Sequence, residues 1–168
     1  DNPYWTVHMN PQTDKTNRFL GTFYTNAKFT DWLDFTYRLG LDNYTSTYTS
    51  KISAGSSVVE KYQQGMLSIN VTQHTFTNHN FLLNAHKVVA QDWDLSLLLG
   101  AATEDLNTKT NATKAQNFIL PNFYAFNNAA DKDKFVYDNL TQIRRLGIFG
   151  DFKVGYKNLA YLGATLRN

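Results

Sequence analysis

Asp34, Arg38 and Asp42 stand four residues apart within the run Leu33–Asp42. Side chains of an extended strand alternate between faces, so the three ionised groups share one face at intervals of about 13 Å. A ladder of opposite charges has two uses. It lines a polar wall past which a hydrophilic solute moves, or it pairs with ions on neighbouring strands or on a packed domain. Arg145, Asp151 and Lys153 likewise share one strand face later in the chain, at spacings of six and two residues. If these strands cross a bilayer, the ions are expected to face an enclosed lumen, because an arginine facing lipid near the midplane costs about 2–4 kcal/mol.

Other chemistry finds little support in spacing. His74 and His79 are five residues apart and fall on opposite faces of a strand; His86 follows later, and His8 is read as loop. Cys is absent, and no HExxH or calcium-loop pattern occurs, so no metal is expected. Asp131-Lys132-Asp133-Lys134 lacks the glycine and later glutamate of an EF-hand loop and reads as a solvated turn. No phosphate loop, nucleophile elbow or Ser/His/Asp signature is present. The carboxylates are not placed by sequence in a cleft suited to glycoside chemistry. Neither catalysis nor a cofactor is expected. Tyr4, Trp5, Tyr44, Tyr48, Phe123, Tyr124 and Phe126 are read as lying in or beside loops. Rings there stack on sugars, meet a capping partner, or pack on one another. The sequons at Asn43, Asn70, Asn111 and Asn139 are of a kind that arises readily in Asn/Thr-rich strands.

The elements that carry these groups read as about six long strands. Leu33, Phe35, Tyr37, Leu39 and Leu41 alternate with the polar set for about ten residues, the length a tilted strand needs to cross a bilayer. Before it, Thr16–Phe29 places Phe19, Phe23, Ala27 and Phe29 opposite Arg18, Thr22, Asn26 and Lys28, with a turn at Thr30-Asp31-Trp32. The second strand is expected to end near Thr47, and Ser46–Gln64, centred on Ser53-Ala54-Gly55-Ser56-Ser57, to be loop. Gly65–Gln73 alternates again as a possible extension of a third spanning strand, His74–Val88, in which Phe81, Leu83 and Ala85 oppose Asn84 and His86. After Ala90-Gln91-Asp92, the fourth strand sets Trp93, Leu95, Leu97, Leu99 and Ala101 against Asp94, Ser96, Leu98 and Gly100. Glu104–Asn139 reads as a second long polar connection holding a hydrophobic island, Phe118–Tyr124. The fifth strand, Thr141–Val154, opposes Leu146, Ile148, Phe152 and Val154 to Arg145, Gly147, Asp151 and Lys153; after Tyr156-Lys157-Asn158 a sixth begins at Leu159.

Connections thus alternate short and long, as in bacterial outer-membrane barrels with tight periplasmic turns and long extracellular loops. Trp32, Trp93 and Tyr156 flank the short turns, where interfacial rings are enriched. The fold class is therefore all-β: part of an antiparallel transmembrane β-barrel in the outer membrane, with residues 1–168 inside one barrel domain. The alternative is a soluble β-sandwich or lipocalin-like barrel acting as a binding module. It explains alternation but not the strand length or the one-sided loops. No run of 18 apolar residues exists for a transmembrane helix. The high aromatic share, 15%, favours strands, and a formal charge of +2 without Lys/Arg runs argues against nucleic acid as a partner. Six strands cannot close a barrel, for which eight is the usual minimum. The chain opens in an apparent loop, Asp1–Trp5, and stops inside a strand pattern, so it is expected to be a piece of a longer polypeptide that supplies the rest.

Asn2-Pro3-Tyr4-Trp5, Arg18-Phe19-Leu20-Gly21, Phe29-Thr30-Asp31-Trp32-Leu33 and Arg38-Leu39-Gly40-Leu41-Asp42-Asn43-Tyr44 together resemble the SusC/RagA family of TonB-dependent outer-membrane transporters of Bacteroidetes-type bacteria. Leu97–Gly100, Leu120–Asn128 and Tyr161–Asn168 resemble later family segments, whereas Gly163 and Leu166 depart from the usual acidic and small residues. The resemblance implies a barrel of about 22 strands with an N-terminal plug, neither complete in this chain. It also implies a SusD-like surface lipoprotein as cap, energy coupling to the TonB system through absent N-terminal parts, and oligosaccharides or peptides as cargo. Some members of such assemblies act instead as structural subunits of a larger outer-membrane complex, and that reading stays open.

Overall fold

In the computed structural model, residues 2–56 and 62–168 are described; Asp1, and the part of the expected 46–64 loop at residues 57–61 with Ser57, lie outside the described residues. Six strands form one antiparallel sheet in chain order. They are β1 (Gln12–Thr30), β2 (Leu33–Ile52), β3 (Met66–Val89), β4 (Trp93–Gln116), β5 (Lys134–Tyr156) and β6 (Ala160–Arg167). The sheet is open. This is the expected partial barrel and not a sandwich: among the described residues a single sheet is present.

The three short turns fall where the apolar alternation breaks. Ala90 and Gln91 have φ of 51° and 63°, and Lys157 and Asn158 have 48° and 58°. Two successive left-handed residues match the right-handed twist of flanking strands, which is how a tight hairpin closes. Backbone bonds lock these ends: Lys157 N–H donates to the Asp92 carbonyl at 2.8 Å, and His86 N–H to the Trp32 carbonyl at 2.8 Å. β6 registers against β5 with Tyr161 opposite Gly155, Gly163 opposite Lys153 and Thr165 opposite Asp151.

The strands run 19 to 24 residues in β1–β5, well past the ends of the alternating stretches. Three expectations are corrected by this. The 46–64 connection is strand as far as Ile52, and the 104–139 connection is strand as far as Gln116 and again from Lys134. Tyr44 and Tyr48 therefore lie in β2 rather than in a loop. The expected opening loop is helix α1 (Pro3–Met9), which carries Tyr4, Trp5 and His8; Asn2 caps it by accepting from Tyr4 N–H, with Pro at the first helical position.

The chain divides into two compact units. One holds residues 1–18, 43–74 and 108–141, and its small core is Leu67, Ala115, Phe118 and Ala129, with Ile69, Tyr124 and Phe126 packed on it. The other holds residues 19–42, 75–107 and 142–168, including the three short turns, parts of β1–β5 and the whole of β6. Its apolar residues are not gathered into a core: Phe23 is 56% exposed, Leu99 46%, Ile148 58% and Leu162 76%.

Candidate functional site

The second unit presents two chemically opposite sheet faces. On one, Phe35 stacks near Phe81 at 6.5 Å between centroids, and Tyr37 lies 5.0 Å from Phe81 and 6.3 Å from Phe23. An open apolar hollow of about 300 Å3 continues this surface across Phe35, Phe81, Leu83, Leu99 and Ile148. At the turn end, the Trp93 and Tyr156 rings meet at 4.7 Å, and the Lys87 ammonium lies 5.7 Å from the Trp32 ring. The side chains carry apolar bodies with polar tips, the composition of an interface between hydrocarbon and water.

The other face is polar and cross-linked strand to strand. Asp34 accepts from Asn26 Nδ2 at 3.2 Å and from Asn84 Nδ2 at 3.1 Å, while Asn26 also donates to the buried Thr36 hydroxyl at 2.9 Å. His86 Nε2 lies 2.8 Å from Asp94 Oδ1. Arg145 pairs with Glu104 at 3.3 Å, and Asp151 takes the Lys153 ammonium at 3.1 Å and the Thr165 hydroxyl at 2.6 Å. Arg38 stacks its guanidinium 5.5 Å from the Tyr24 ring, and Asp42, in β2, also has a partner. By strand parity all six ions singled out in the sequence sit on this face, and Asp34, Arg38, Arg145, Asp151 and Lys153 engage β1, β3, β4 or β6 or their own strand. Their cross-strand partners Asn26, Asn84 and Glu104 were not singled out as partners, because register between strands is not written in one strand's sequence.

Gly100 opens room on the polar face. A Cβ there would run into the far end of the Phe149 ring, so a larger residue requires that ring to swing aside from β4. One charged pair lies on the opposite, apolar face: Arg144 Nε donates to Asp105, with side chains 81% and 42% exposed. It takes the place that the alternation after Leu99 and Ala101, and before Leu146, assigns to that face.

The first unit contains the expected loop aromatics and separates them. Tyr44 stacks on His74 at 4.7 Å, with the Arg18 guanidinium 5.9 Å from its ring, and His74 bonds the Thr108 hydroxyl at 3.0 Å. Tyr37 in the second unit instead takes His79, at 2.8 Å, and among the described residues no histidine group is arranged to hold a metal. The Tyr124 hydroxyl donates to Ser53 Oγ at 2.8 Å, its ring meets Phe118 edge-on at 5.7 Å, and Lys51 lies 5.5 Å from the ring. Ser53 in turn donates to the Met9 carbonyl, and its N–H is taken by Asn10 Oδ1 at 2.8 Å. Tyr124 and Phe126 are thus packing residues of the small core, whereas Phe123, Ile119 and Leu120 are exposed. Buried Asn128 fixes that segment: its Nδ2 donates to the Leu120 and Phe123 carbonyls at 2.8 and 2.7 Å, and Leu120 N–H donates to its Oδ1 at 3.0 Å. Tyr4 on α1 is 79% exposed, and Trp5 half-buried. Asp131 accepts from the Lys134 ammonium at 2.8 Å, and that hydrogen bond, with the attached charge, holds its carboxyl below the usual range.

A six-stranded antiparallel sheet with tight turns at one end of its hairpins, apolar on one face and polar on the other within the second unit, matches part of a β-barrel. No family model matches the chain, and no curated protein does. Solved structures do. The structure of the RagAB peptide transporter superimposes at a TM-score of 0.86 with 11% identity, covering 98% of this chain and 18% of that one. The RagAB peptide importer in its closed-closed state gives 0.87 at 12% identity, and in its open-open state 0.86 at 12%, with the same coverage. At such identity the likeness establishes the fold. The chain spans about a fifth of the length of the proteins it matches.

Proposed function

We propose that this chain is a section of the barrel wall of an outer-membrane, TonB-dependent importer of the SusC/RagA type. The observation that supports it most is the pairing of a continuous exposed apolar face with an ion-bearing polar face, on a fold shared with the peptide transporters over 98% of the chain. The apolar face meets lipid. The polar face, with Asp34, Arg38, Asp42, Arg145, Asp151 and Lys153, lines the lumen, and the short turns face the periplasm. An open sheet edge leaves backbone N–H and C=O groups unpaired, which hydrocarbon does not tolerate. Further strands of the same polypeptide close the barrel.

The cargo in this reading is peptide, in keeping with the transporters matched, and a SusD-like lipoprotein covers the outer mouth. The exposed Tyr4 and Phe123, with the half-buried Trp5, are the surfaces offered to cargo or cap. The test is uptake of fluorescent peptides and of fluorescent oligosaccharides by cells producing the whole protein, with and without an intact TonB system. TonB-dependent accumulation of peptide is expected. Accumulation of oligosaccharide alone would reassign the cargo. A membrane-inserted protein that imports neither would place it as a structural subunit of a larger assembly.

A further inference from the structure

The apolar face of the second unit does not end in rings alone. Along β4 it carries Trp93, Leu95, Leu97, Leu99 and Ala101, and along β5 Tyr156, Val154, Phe152, Ile148 and Leu146; the next ions on those rows are Asp105 and Arg144. From Trp93 to Asp105 is twelve residues, about 41 Å of strand, or about 29 Å along the bilayer normal at a tilt near 45°. The lipid-facing band of an outer-membrane barrel is about 25 Å tall. With the Trp93–Tyr156 ring pair at one boundary, the ion pair falls just outside hydrocarbon at the other, at the depth of phosphates.

We propose that Arg144 takes the headgroup phosphate of an anionic lipid whose acyl chains lie along Leu146, Ile148, Leu97 and Leu99; this rests on the membrane reading above. Asp105 occupies Arg144 Nε, yet the arginine side chain stays 81% exposed, so its terminal nitrogens are accessible. A guanidinium held through Nε presents its remaining N–H groups as a fork that fits phosphate oxygens. Asp105 is the carboxylate beside that position, and the Nε–H bond offsets its charge. An open hollow of about 420 Å3, lined by Asp105, Asn107, Gln142 and Arg144 with Leu106 and Ile143, leaves room for a headgroup. The sister pair Arg145–Glu104 faces the opposite side of the sheet and serves as an internal control.

The test uses the whole protein in nanodiscs of phosphatidylcholine doped with phosphatidylglycerol, with lipids retained after detergent release counted by native mass spectrometry. Wild type should retain phosphatidylglycerol over phosphatidylcholine. Arg144→Gln should lower that preference about fivefold, the factor equivalent to about 1 kcal/mol for one arginine at an anionic surface. Arg144→Lys, which keeps the charge and loses the fork, should fall between wild type and Arg144→Gln, and Arg145→Gln should leave the preference unchanged. Equal retention by Arg144→Gln and Arg145→Gln would overturn the proposal. So would equal retention by wild type of both lipids. Failure of the wild-type protein to enter the bilayer at all would instead sink the membrane reading on which it rests.

Discussion

Replacing Leu99 by arginine should destabilise the barrel far more than the same change at either Leu98 or Thr103. Leu99 lies six residues from Trp93 and six from Asp105, midway along the apolar row, and is 46% exposed. An arginine facing lipid at the midplane costs about 2–4 kcal/mol, falling to about 0–1 near the interface. Thr103, two residues from Asp105, belongs to the interfacial end of the same row. Leu98 belongs to the opposite, polar face, which in the proposed arrangement lines the lumen and solvates a charge. Leu99→Arg should therefore lower the folded-to-unfolded ratio by about thirty- to several-hundred-fold. Thr103→Arg and Leu98→Arg should change it by less than about tenfold. Urea titration of the whole protein in lipid vesicles, followed by tryptophan fluorescence and by heat-dependent gel mobility, reads the difference. Equal losses at all three sites, or a larger loss at Leu98 than at Leu99, would refute the assignment of faces.

Gly100→Ala should cost about 1–3 kcal/mol by overpacking, since the new Cβ meets the Phe149 ring, and adding Phe149→Ala should restore most of it in a double-mutant cycle. Asn128→Ala removes the side-chain bonds to Leu120 and Phe123. It should raise hydrogen exchange and protease cleavage across residues 119–128 without lowering global stability to the same degree; unchanged exchange there would contradict its role. Lys134→Gln should let the Asp131 carboxyl return toward its ordinary range, read by carboxyl NMR. Because the folded-state pKa is depressed, whatever the Lys134 bond adds is present above the unfolded-state value and fades as pH falls through the folded one. On so exposed a pair the effect is confined to the turn and weakened by salt.

The central parts of the strands were legible because a sheet with one apolar and one polar face imposes a two-residue period on side chains. The breaks read at Thr30-Asp31-Trp32, Ala90-Gln91-Asp92 and Tyr156-Lys157-Asn158 match the observed turns to within a residue. The outer reaches of β2, β4 and β5 were not legible. In β2 and β4 both faces there are Thr-, Ser-, Asn- and Lys-rich, and in β5 the run Phe135-Val136-Tyr137 does not alternate, so the ladder of backbone bonds continues with no two-residue period to announce it. Helix α1 had a signal, Asn2 before Pro3, that the shortness of the segment concealed. The ions of the polar face were legible by type and parity. Their partners were not, because Asn26–Asp34–Asn84 and Glu104–Arg145 depend on inter-strand register. For Tyr124 and Phe126 the sequence left partner contact and mutual packing open, because it does not show that Leu67, Ala115 and Phe118 come together to give them a core to join.

The central claim is that alternate residues of these strands meet lipid and water, and it is tested most directly at two adjacent positions. Phe35→Cys and Asp34→Cys, each made in the whole protein in an intact bilayer, are exposed to a charged, water-soluble maleimide. Labelling at position 34 with protection at 35 is the predicted outcome. Labelling at 35 with protection at 34 would invert the faces, and equal labelling at both would remove the bilayer from the account.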